Sequence, residues 1–489
     1  MDEPHLKRDL GLVRTTMLGI GGTLSAANFV IIGEAAGMAG YAIIPVVVVC
    51  GLLSLLTMFS YAELGTAIPL AGGEYTFSKV AYGGFISFLT GWFEWLSNMF
   101  YTALSAIGFA YVVSYLFPEI NIPLTAVVVV MVFALINLRG TKETATAETV
   151  ITIVVLAIIA IFLITTVTFG AETTPEPSPS PIGILGIFAA TAYLFELYLG
   201  AEAVAAAQAE VKNPGRNIPL AIILSAIVLI ALYTSVVIVA VDIVPPHMLS
   251  EQASPIAFVA QQALGPAGAV LVTVGLAIAG LAATNEAILA QSHVLYAMSR
   301  DGYMPKGLGK IHKRFCTPYV AIIVCMIFTV IFAATGLVNF VVYAVNLGFI
   351  IGFSIVNLSL IKLRKTAPHL KRPFKVPLYP LTPLAGIAAS ILLALFIDPS
   401  VLILGFELIT VALLVYYVKM VGHHRIRIAF GGVSLGLGAA VAYIAYLVST
   451  NAFLQSVPQG TVTLVTGLLL FISIIEIIAG ILNLLASDR

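Results

Sequence analysis

Apolar stretches long enough to cross a lipid bilayer follow one another along almost the whole chain of 489 residues. A spanning helix needs about 20 predominantly apolar residues, and the sequence holds about fourteen such stretches. Of all residues, 60% are hydrophobic and only 9% are charged, against about 25% charged residues in a soluble domain. Inside a bilayer the protein itself must satisfy every backbone N–H and C=O, which only helices and closed barrels achieve. Apolar stretches of this length predict an all-α polytopic membrane protein.

The distribution of charge indicates how these spans are oriented. If the N terminus lies inside and the spans alternate, every Lys and Arg falls on the inner side, whereas acidic residues such as Glu119 and Asp242 occupy the outer loops. This is the asymmetry that the positive-inside rule describes for cytoplasmic loops. We therefore expect a multi-pass protein of the plasma membrane with both termini in the cytoplasm. The formal net charge of zero gives no electrostatic support for binding nucleic acid.

The first ten spans fall into two blocks of similar length. Residues 1–169 hold spans one to five, and residues 183–365 hold spans six to ten. Because five is odd, the second block enters the membrane from the opposite side, which predicts an inverted-topology repeat. A proline-rich outer linker at residues 170–182 joins the two blocks. Residues 366–489 are expected to form accessory spans, numbered eleven to fourteen.

Two apolar segments in matching places of the two blocks are interrupted by small and polar residues. The interruptions fall within residues 19–28 and residues 195–202. A broken helix at membrane depth occurs only where its backbone is buried in protein or lines a wet cavity, and a matched pair points to a transporter's binding site. Free N–H groups at a helix N terminus in the first break would hold an anionic group such as a carboxylate. The alternative for this break is a glycine-lined contact between helices.

Four glutamates lie inside predicted spans: Glu94, Glu196, Glu202 and Glu286. A charged side chain at the bilayer centre costs roughly 2.5–3.5 kcal/mol on insertion scales, so each is a candidate functional residue. Glu94 shares a polar stripe at helical spacing with Asn98 on span three. The alternative for each glutamate is a protonated or hydrogen-bonded structural carboxyl inside the bundle.

Several motifs lie in order between the first and the eighth span. They are Gly19-Ile20-Gly21, Ala62-Glu63-Leu64, Gly72-Gly73-Glu74-Tyr75, Gly91-Trp92, Gly200-Ala201-Glu202, Lys212-Asn213-Pro214-Gly215-Arg216 and Tyr296-Ala297-Met298-Ser299-Arg300. Together they resemble the amino acid–polyamine–organocation (APC) permeases, and a count of about fourteen spans resembles their cationic amino acid transporter branch. The resemblance implies a LeuT-type 5+5 inverted repeat with substrate bound between the broken first and sixth helices. It also implies a gating or proton-linked role for Glu202.

These patterns predict a secondary active amino acid transporter, or permease, that works by alternating access. The expected substrate-binding residues are Gly21, Gly22, Thr23, Ser25, Ala26, Ala27, Asn28, Glu94, Asn98, Glu196, Tyr198 and Gly200. Coupling or gating is expected at Glu202, Glu196 and Glu286. The coupling ion is a proton or Na⁺, with obligate exchange as the alternative. No catalytic residue, metal site or cofactor is expected.

The two breaks differ in a way that favours a cationic substrate. The first carries Ser25-Ala26-Ala27-Asn28 where many permeases of the family have glycines, and the second carries both Glu196 and Glu202. We therefore expect an amino acid or amine as the small-molecule partner, besides the lipid bilayer, and the asymmetry favours a cationic substrate or a strongly proton-linked one. Two alternatives stay open: an amino acid receptor on the same fold and, less favoured, an integral membrane enzyme, for which the sequence shows no convergent catalytic motif.

Overall fold

The computed structural model describes residues 10–68, 72–140, 145–169, 183–206, 208–420 and 459–485, together with scattered positions between 431 and 448. Within these ranges the regular structure is helical apart from one isolated bridge between Leu10 and Val211. Ten of the described helices are long and apolar enough to cross a membrane, and two further apolar helices are shorter. The all-helical prediction is confirmed. The proline-rich linker and most of the thirteenth predicted span lie outside the described residues.

The helices are numbered here in chain order. In the first block they are α1 (Leu12–Gly21), α2 (Ala26–Ala39), α3 (Ile43–Ala67), α4 (Gly73–Ala81), α5 (Gly84–Ser114), α6 (Ile122–Arg139) and α7 (Ala145–Phe169). In the second block they are α8 (Ile184–Leu194), α9 (Ala203–Ala206), α10 (Pro214–Ile243), α11 (Pro246–Ser250), α12 (Pro255–Arg300), α13 (Tyr319–Ala333) and α14 (Val338–Thr366). Beyond them lie α15 (Leu381–Ala394), α16 (Pro399–Met420) and α17 (Gln459–Leu485).

The chain divides into two compact units. The larger runs to Ala297 and resumes from Lys306 to Asp398, and the smaller combines Met298–Pro305 with the chain from Pro399 onward. The larger unit contains both broken segments. In the smaller unit, α16 and α17 pack on each other around an apolar cluster that includes Val441 and Leu469.

The first predicted span is two helices, α1 and α2, separated by residues 22–25. Helix α1 continues through its glycines, and its last turn closes with a bond from Leu24 N to Ile20 O at 3.0 Å. Helix α2 then starts after Ser25, whose extended backbone and hydroxyl form an N-cap: Ser25 Oγ accepts from Ala27 N at 3.3 Å. A serine N-cap satisfies one of the N–H groups that every helix start leaves open. The interruption therefore lies inside the predicted segment and begins at Gly22.

The second broken segment has a different shape. Helix α8 ends at Leu194, a tight 3-10 turn follows at Phe195–Tyr198, and Leu199 is extended. Gly200 then adopts φ 117°, a conformation that glycine reaches without strain from a Cβ. The short helix α9 follows, and a 3-10 turn at Gln208–Glu210 comes before α10 begins at Pro214. The main chain is thus irregular across the whole predicted range of residues 195–202.

Two long helices flank these breaks. Helix α5 has 31 residues, and α12 has 46 residues with one non-helical position, Gly265 at φ 70°. The kink falls at Gly265 because the next residue is Pro266, which cannot donate a helix hydrogen bond.

Candidate functional site

The two breaks touch through their main chains. A Cβ built on Gly200 would collide with the carbonyl of Gly22, and a Cβ built on Gly22 would lie 3.1 Å from the carbonyl oxygen of Gly200. Only residues without a side chain allow this approach. The N–H of Gly200 donates to both carboxylate oxygens of Glu202, at 2.8 and 2.9 Å. Gly22, Gly200 and Glu202, all expected at the site, therefore meet at one point.

The polar residues of the first break are buried and bonded to neighbouring helices. Thr23 Oγ1 donates to Gly19 O at 2.9 Å, and Ser25 Oγ donates to Ser105 Oγ on α5 at 3.1 Å. On the same helix, Tyr101 donates its hydroxyl to Gly22 O at 3.1 Å. Helix α5 therefore contacts the first break through both Tyr101 and Ser105.

Small residues let α5 and α12 approach the start of α2. A Cβ on Gly108 of α5 would collide with the backbone of Ala27, and a Cβ on Gly280 of α12 would lie 2.8 Å from Ala26 Cβ. Both alanines are fully buried. Ala26 and Ala27, both predicted as site residues, therefore lie in the contact of α2 with α5 and α12. The backbone N–H groups of the first turn of α2 have no acceptor within the helix.

Asn28 links the first break to α10. Its Nδ2 donates to Thr23 O at 2.8 Å and to the hydroxyl of Tyr233 at 2.6 Å. Its other amide atom, Oδ1, is buried and has no hydrogen-bond partner within the described part of the chain. Buried acceptors in native proteins are normally satisfied, so an orphaned one indicates a missing donor.

Glu196 is the most exceptional side chain of the second break. It is 0% exposed, and neither carboxylate oxygen has a hydrogen-bond partner among the described residues. Tyr101 and Tyr233, which bond to the first break, lie within electrostatic reach of Glu196. An isolated buried carboxylate is very costly unless it is paired or neutralised. Glu196 and Asn28 together present three orphaned acceptor atoms and no orphaned donor.

A second group of carboxyls surrounds the glycines of the first break. Glu286 Oε1 on α12 lies 3.1 Å from the Cβ position of Gly22, and Glu148 Oε1 on α7 lies 3.3 Å from that of Gly21. Glu202 lies within electrostatic reach of Glu286. Within the described ranges, no group of three or more His, Cys, Asp and Glu side chains is placed to hold a metal ion. The arrangement brings together two of the expected coupling residues, Glu202 and Glu286, with Glu148.

The remaining expected site residues hydrogen-bond to groups other than Glu196 and Asn28, and the ring of Tyr198 stands 5.8 Å from that of Tyr233. Glu94 Oε2 accepts from the N–H of Tyr75 in the first turn of α4 at 3.0 Å, and Asn98 Nδ2 donates to Glu94 O in its own helix at 2.7 Å. Tyr198 donates its hydroxyl to Val47 O on α3 at 2.8 Å. The bonds of Glu94 and Tyr198 therefore connect different helices, that of Asn98 stays within α5, and none of them reaches the orphaned acceptors of Glu196 and Asn28.

Comparison with known proteins decides the family. Residues 10–420 match the family described as amino acid permease. This chain belongs to the amino acid permease family. The predicted resemblance to APC permeases is confirmed, and the chain is a multi-pass membrane protein of a transporter family, not an enzyme. The alternative of a membrane enzyme is therefore wrong.

The permease is similar to transporters with different named substrates. It is 27% identical over 447 residues to the branched-chain amino acid permease BcaP of Bacillus subtilis, covering 87% of this chain and 96% of the relative. It is 32% identical over 440 residues to the methylthioribose transporter of the same organism, covering 84% and 93%. It is 26% identical over 387 residues to the vacuolar cationic amino acid transporter 2 of Arabidopsis thaliana, covering 74% and 61%.

Sequence reasoning about the permease missed three polar residues near the breaks: Tyr233, Glu148 and Glu74. Tyr233 bonds to Asn28 across 205 positions of sequence. Its position in the middle of an apolar span was therefore the sequence feature that could have identified it as a site residue. Glu148 stands near the start of α7, where it resembles a residue of a loop boundary. Glu74 appeared only as part of a family motif, although it is 2% exposed and accepts a hydrogen bond from Tyr61.

Proposed function

We propose that this permease is a secondary active transporter for a cationic amino acid or related amine. It works by alternating access around the breaks at Gly22–Ser25 and Phe195–Glu202, in a LeuT-type 5+5 inverted repeat within about fourteen spans. The observation that carries the proposal is the buried carboxyl of Glu196, which has no partner among the described residues. The positive-inside distribution supports a plasma-membrane location with cytoplasmic termini.

The orphaned atoms define what the substrate must supply. Two oxygens of Glu196 and Oδ1 of Asn28 are acceptors, and a primary ammonium carries three N–H donors and a positive charge. An ammonium would supply the kind of donor that these atoms lack and would neutralise the carboxylate of Glu196 in the same step. The N–H groups at the start of α2 would bind an anion favourably, because the positive end of the helix dipole adds to their hydrogen bonds. They suit the substrate's carboxylate.

Coupling is proposed at the carboxyls beside the substrate position. Glu202 is bonded to Gly200 of the second break, so protonation of Glu202 would weaken a main-chain contact that shapes the break. Glu286 stands within electrostatic reach of Glu202, and like charges in a confined space favour uptake of a proton. This arrangement supports proton coupling, with exchange as the alternative when no net proton moves.

The test uses the purified full-length protein in proteoliposomes. After a thermal-shift screen of amino acids and polyamines, uptake of the labelled hit is measured for the wild type and for Glu196→Gln. Loss of one charged hydrogen-bond partner predicts an affinity lower by on the order of 10- to 100-fold. Glu34→Gln is the matched control, because Glu34 lies on α2 and is partly exposed. Unchanged affinity in Glu196→Gln would contradict the cation site.

Counterflow separates transport from simple binding. Proteoliposomes loaded with unlabelled substrate should accumulate the labelled substrate transiently above its external concentration. A receptor on the same fold would bind the ligand and give no accumulation, which would overturn the transport proposal while leaving the binding site intact.

A further inference from the structure

The loop between α12 and α13 concentrates positive charge at one end of the bundle. Residues 306–317 include Lys306, Lys310, Lys313 and Arg314, and they contain no acidic side chain. All four basic side chains are exposed. Within the described part of the chain, none of the four forms an ion pair with an acidic group. The loop therefore presents four positive charges to its surroundings.

Hydrogen bonds around His312 give this loop a defined backbone. The N–H of His312 donates to Thr317 O at 2.8 Å, and the carbonyl of His312 accepts from Cys316 N at 2.9 Å. The imidazole Nδ1 accepts from the N–H groups of Arg314 and Phe315, both at 3.2 Å. The ring of Phe315 stacks on that of His312 at 4.7 Å. The loop is therefore a closed turn that holds its basic side chains in place.

Two contacts place the loop beside a membrane span. Thr317 Oγ1 donates to Leu138 O in the last turn of α6 at 2.9 Å, and Phe315 O lies 3.2 Å from the Cβ position of Gly140. Helix α6 is a candidate membrane span, and its Leu135, one turn earlier, is 57% exposed, as a lipid-facing side chain is. The loop therefore lies where α6 leaves the bilayer, at the level of the lipid headgroups.

Exposed apolar side chains stand among the charges. Ile311, which follows Lys310, is 50% exposed, and Phe315, which follows Arg314, is 36% exposed. The guanidinium of Arg314 lies 5.5 Å from the centre of the Phe315 ring. The positive-inside rule accounts for basic residues in such a loop but does not require exposed apolar ones. A lipid surface takes up both kinds, with apolar side chains at the acyl boundary and basic ones at the phosphates.

The charge of the loop selects the lipid. Basic clusters next to a membrane span attract anionic lipids, and Arg and Lys both bind phosphate oxygens through charge-assisted hydrogen bonds. We propose that residues 306–317 bind the headgroups of anionic phospholipids in the adjoining leaflet. Lys310, Lys313 and Arg314 contact the phosphates, and Ile311 and Phe315 reach the acyl boundary. This proposal does not depend on which substrate is transported.

The test uses the full-length protein in lipid nanodiscs, with a fluorophore on Cys316. That cysteine lies in the loop and is exposed, whereas Cys50 and Cys325 are buried, so a thiol reagent labels Cys316 selectively. Lipids with brominated acyl chains quench the fluorophore on contact. At equal mole fractions, brominated phosphatidylglycerol should quench about two-fold or more strongly than brominated phosphatidylcholine. Equal quenching by the two lipids would overturn the proposal.

A matched pair of triple variants separates this loop from the general charge of its side of the membrane. The loop variant carries Lys310→Gln, Lys313→Gln and Arg314→Gln, and the control carries Lys365→Gln, Lys371→Gln and Lys375→Gln. The three control lysines are exposed and are expected on the same side of the membrane. The loop variant should quench equally with both lipids, while the control should keep the preference for phosphatidylglycerol.

Two outcomes of this comparison would contradict a lipid site in the loop. An equal loss of preference in both triple variants would show that net charge attracts the lipid. A full preference in the loop variant would show that its basic side chains are not the ligands. Thermal unfolding in detergent verifies that both variants fold, and the wild-type comparison of the two lipids stands without them.

Discussion

Glu63 binds the guanidinium of Arg364 through both of its carboxylate oxygens. Oε1 accepts from Nε at 2.8 Å, and Oε2 accepts from Nη2. The N–H of Val376 donates to Oε2 at 2.7 Å, and Arg372 Nε lies 3.3 Å from Oε1. Glu63 is 0% exposed and lies near the end of α3, while Arg364 lies near the end of α14. This carboxylate therefore ties a helix end of the first block to a helix end of the second.

Loss of the Glu63 carboxylate should destabilise the permease strongly. Breaking a buried ion pair from one side costs about 3–5 kcal/mol, because the partner charges lose their compensation. We expect Glu63→Ala to lower the free energy of unfolding in detergent by that amount. The control is Arg300→Ala, since Arg300 is 66% exposed and stands 3.9 Å from Asp301, where about 0–1 kcal/mol is expected. Equal losses in the two variants would contradict the structural role of Glu63.

Removal of the Tyr233 hydroxyl should affect substrate affinity and stability together. Tyr233→Phe deletes the hydroxyl that accepts a hydrogen bond from Asn28 Nδ2. The loss costs about 0.5–1.5 kcal/mol of stability. It also frees the Asn28 amide, whose Oδ1 is one of the orphaned acceptors. We expect a several-fold rise in the substrate Kd. Tyr111→Phe removes a bond to Gly336 O outside both breaks and should lower stability without changing Kd. Substrate titrations by thermal shift measure both effects, and equal Kd values in the two variants would refute the prediction.

A methyl group at Gly200 should abolish transport. The alanine would meet the carbonyl of Gly22, and its backbone would have to keep φ 117°. A control at Gly302 separates the steric collision from the backbone strain, because Gly302 has φ 88° but open space around its Cβ position. Gly302→Ala should lose about 1–2 kcal/mol of stability from backbone strain alone and keep transport. Retained uptake in Gly200→Ala would show that the contact between the breaks is dispensable.

Neutralisation of Glu202 should separate exchange from driven uptake. Glu202→Gln still offers an acceptor to Gly200 N but cannot release a proton. We expect counterflow to continue while uptake driven by a proton gradient is lost. Glu34→Gln should keep both activities, since Glu34 is a partly exposed residue of α2 that belongs to neither break. Driven uptake at the wild-type rate in Glu202→Gln would exclude that residue as the coupling carboxyl.

The sequence pattern located both breaks, but its range for the first one also included residues that are helical. Gly19 and Gly21 looked like the flexible part of the first break, yet α1 runs through both. Gly19 serves packing instead: a Cβ there would lie 2.7 Å from Ser225 Oγ on α10. Helix propensity differs by only about 1 kcal/mol between glycine and alanine, so tertiary packing easily overrides it. The break starts one residue later, at Gly22, where the second segment approaches.

Glu196 could be identified from the sequence because the free-energy cost of a glutamate in an apolar span depends only on its local sequence. The residues that surround Glu196 could not be identified in this way. A glutamate inside an apolar run is expensive wherever it stands. By contrast, the bond from Asn28 to Tyr233 spans 205 positions, and the pair of Glu63 with Arg364 spans 301. Such contacts depend on how the helices pack, which hydrophobic periodicity does not specify.

The junction of Gly22 with Gly200 has a consequence for how permeases of this kind diversify. Because it is built from main-chain atoms alone, its dimensions do not depend on any rotamer. If Glu196 binds the substrate as proposed, a different side chain at that position would change the solute while the main-chain contact between the breaks keeps its geometry. Selectivity and mechanics would then depend on different atoms of the same few residues.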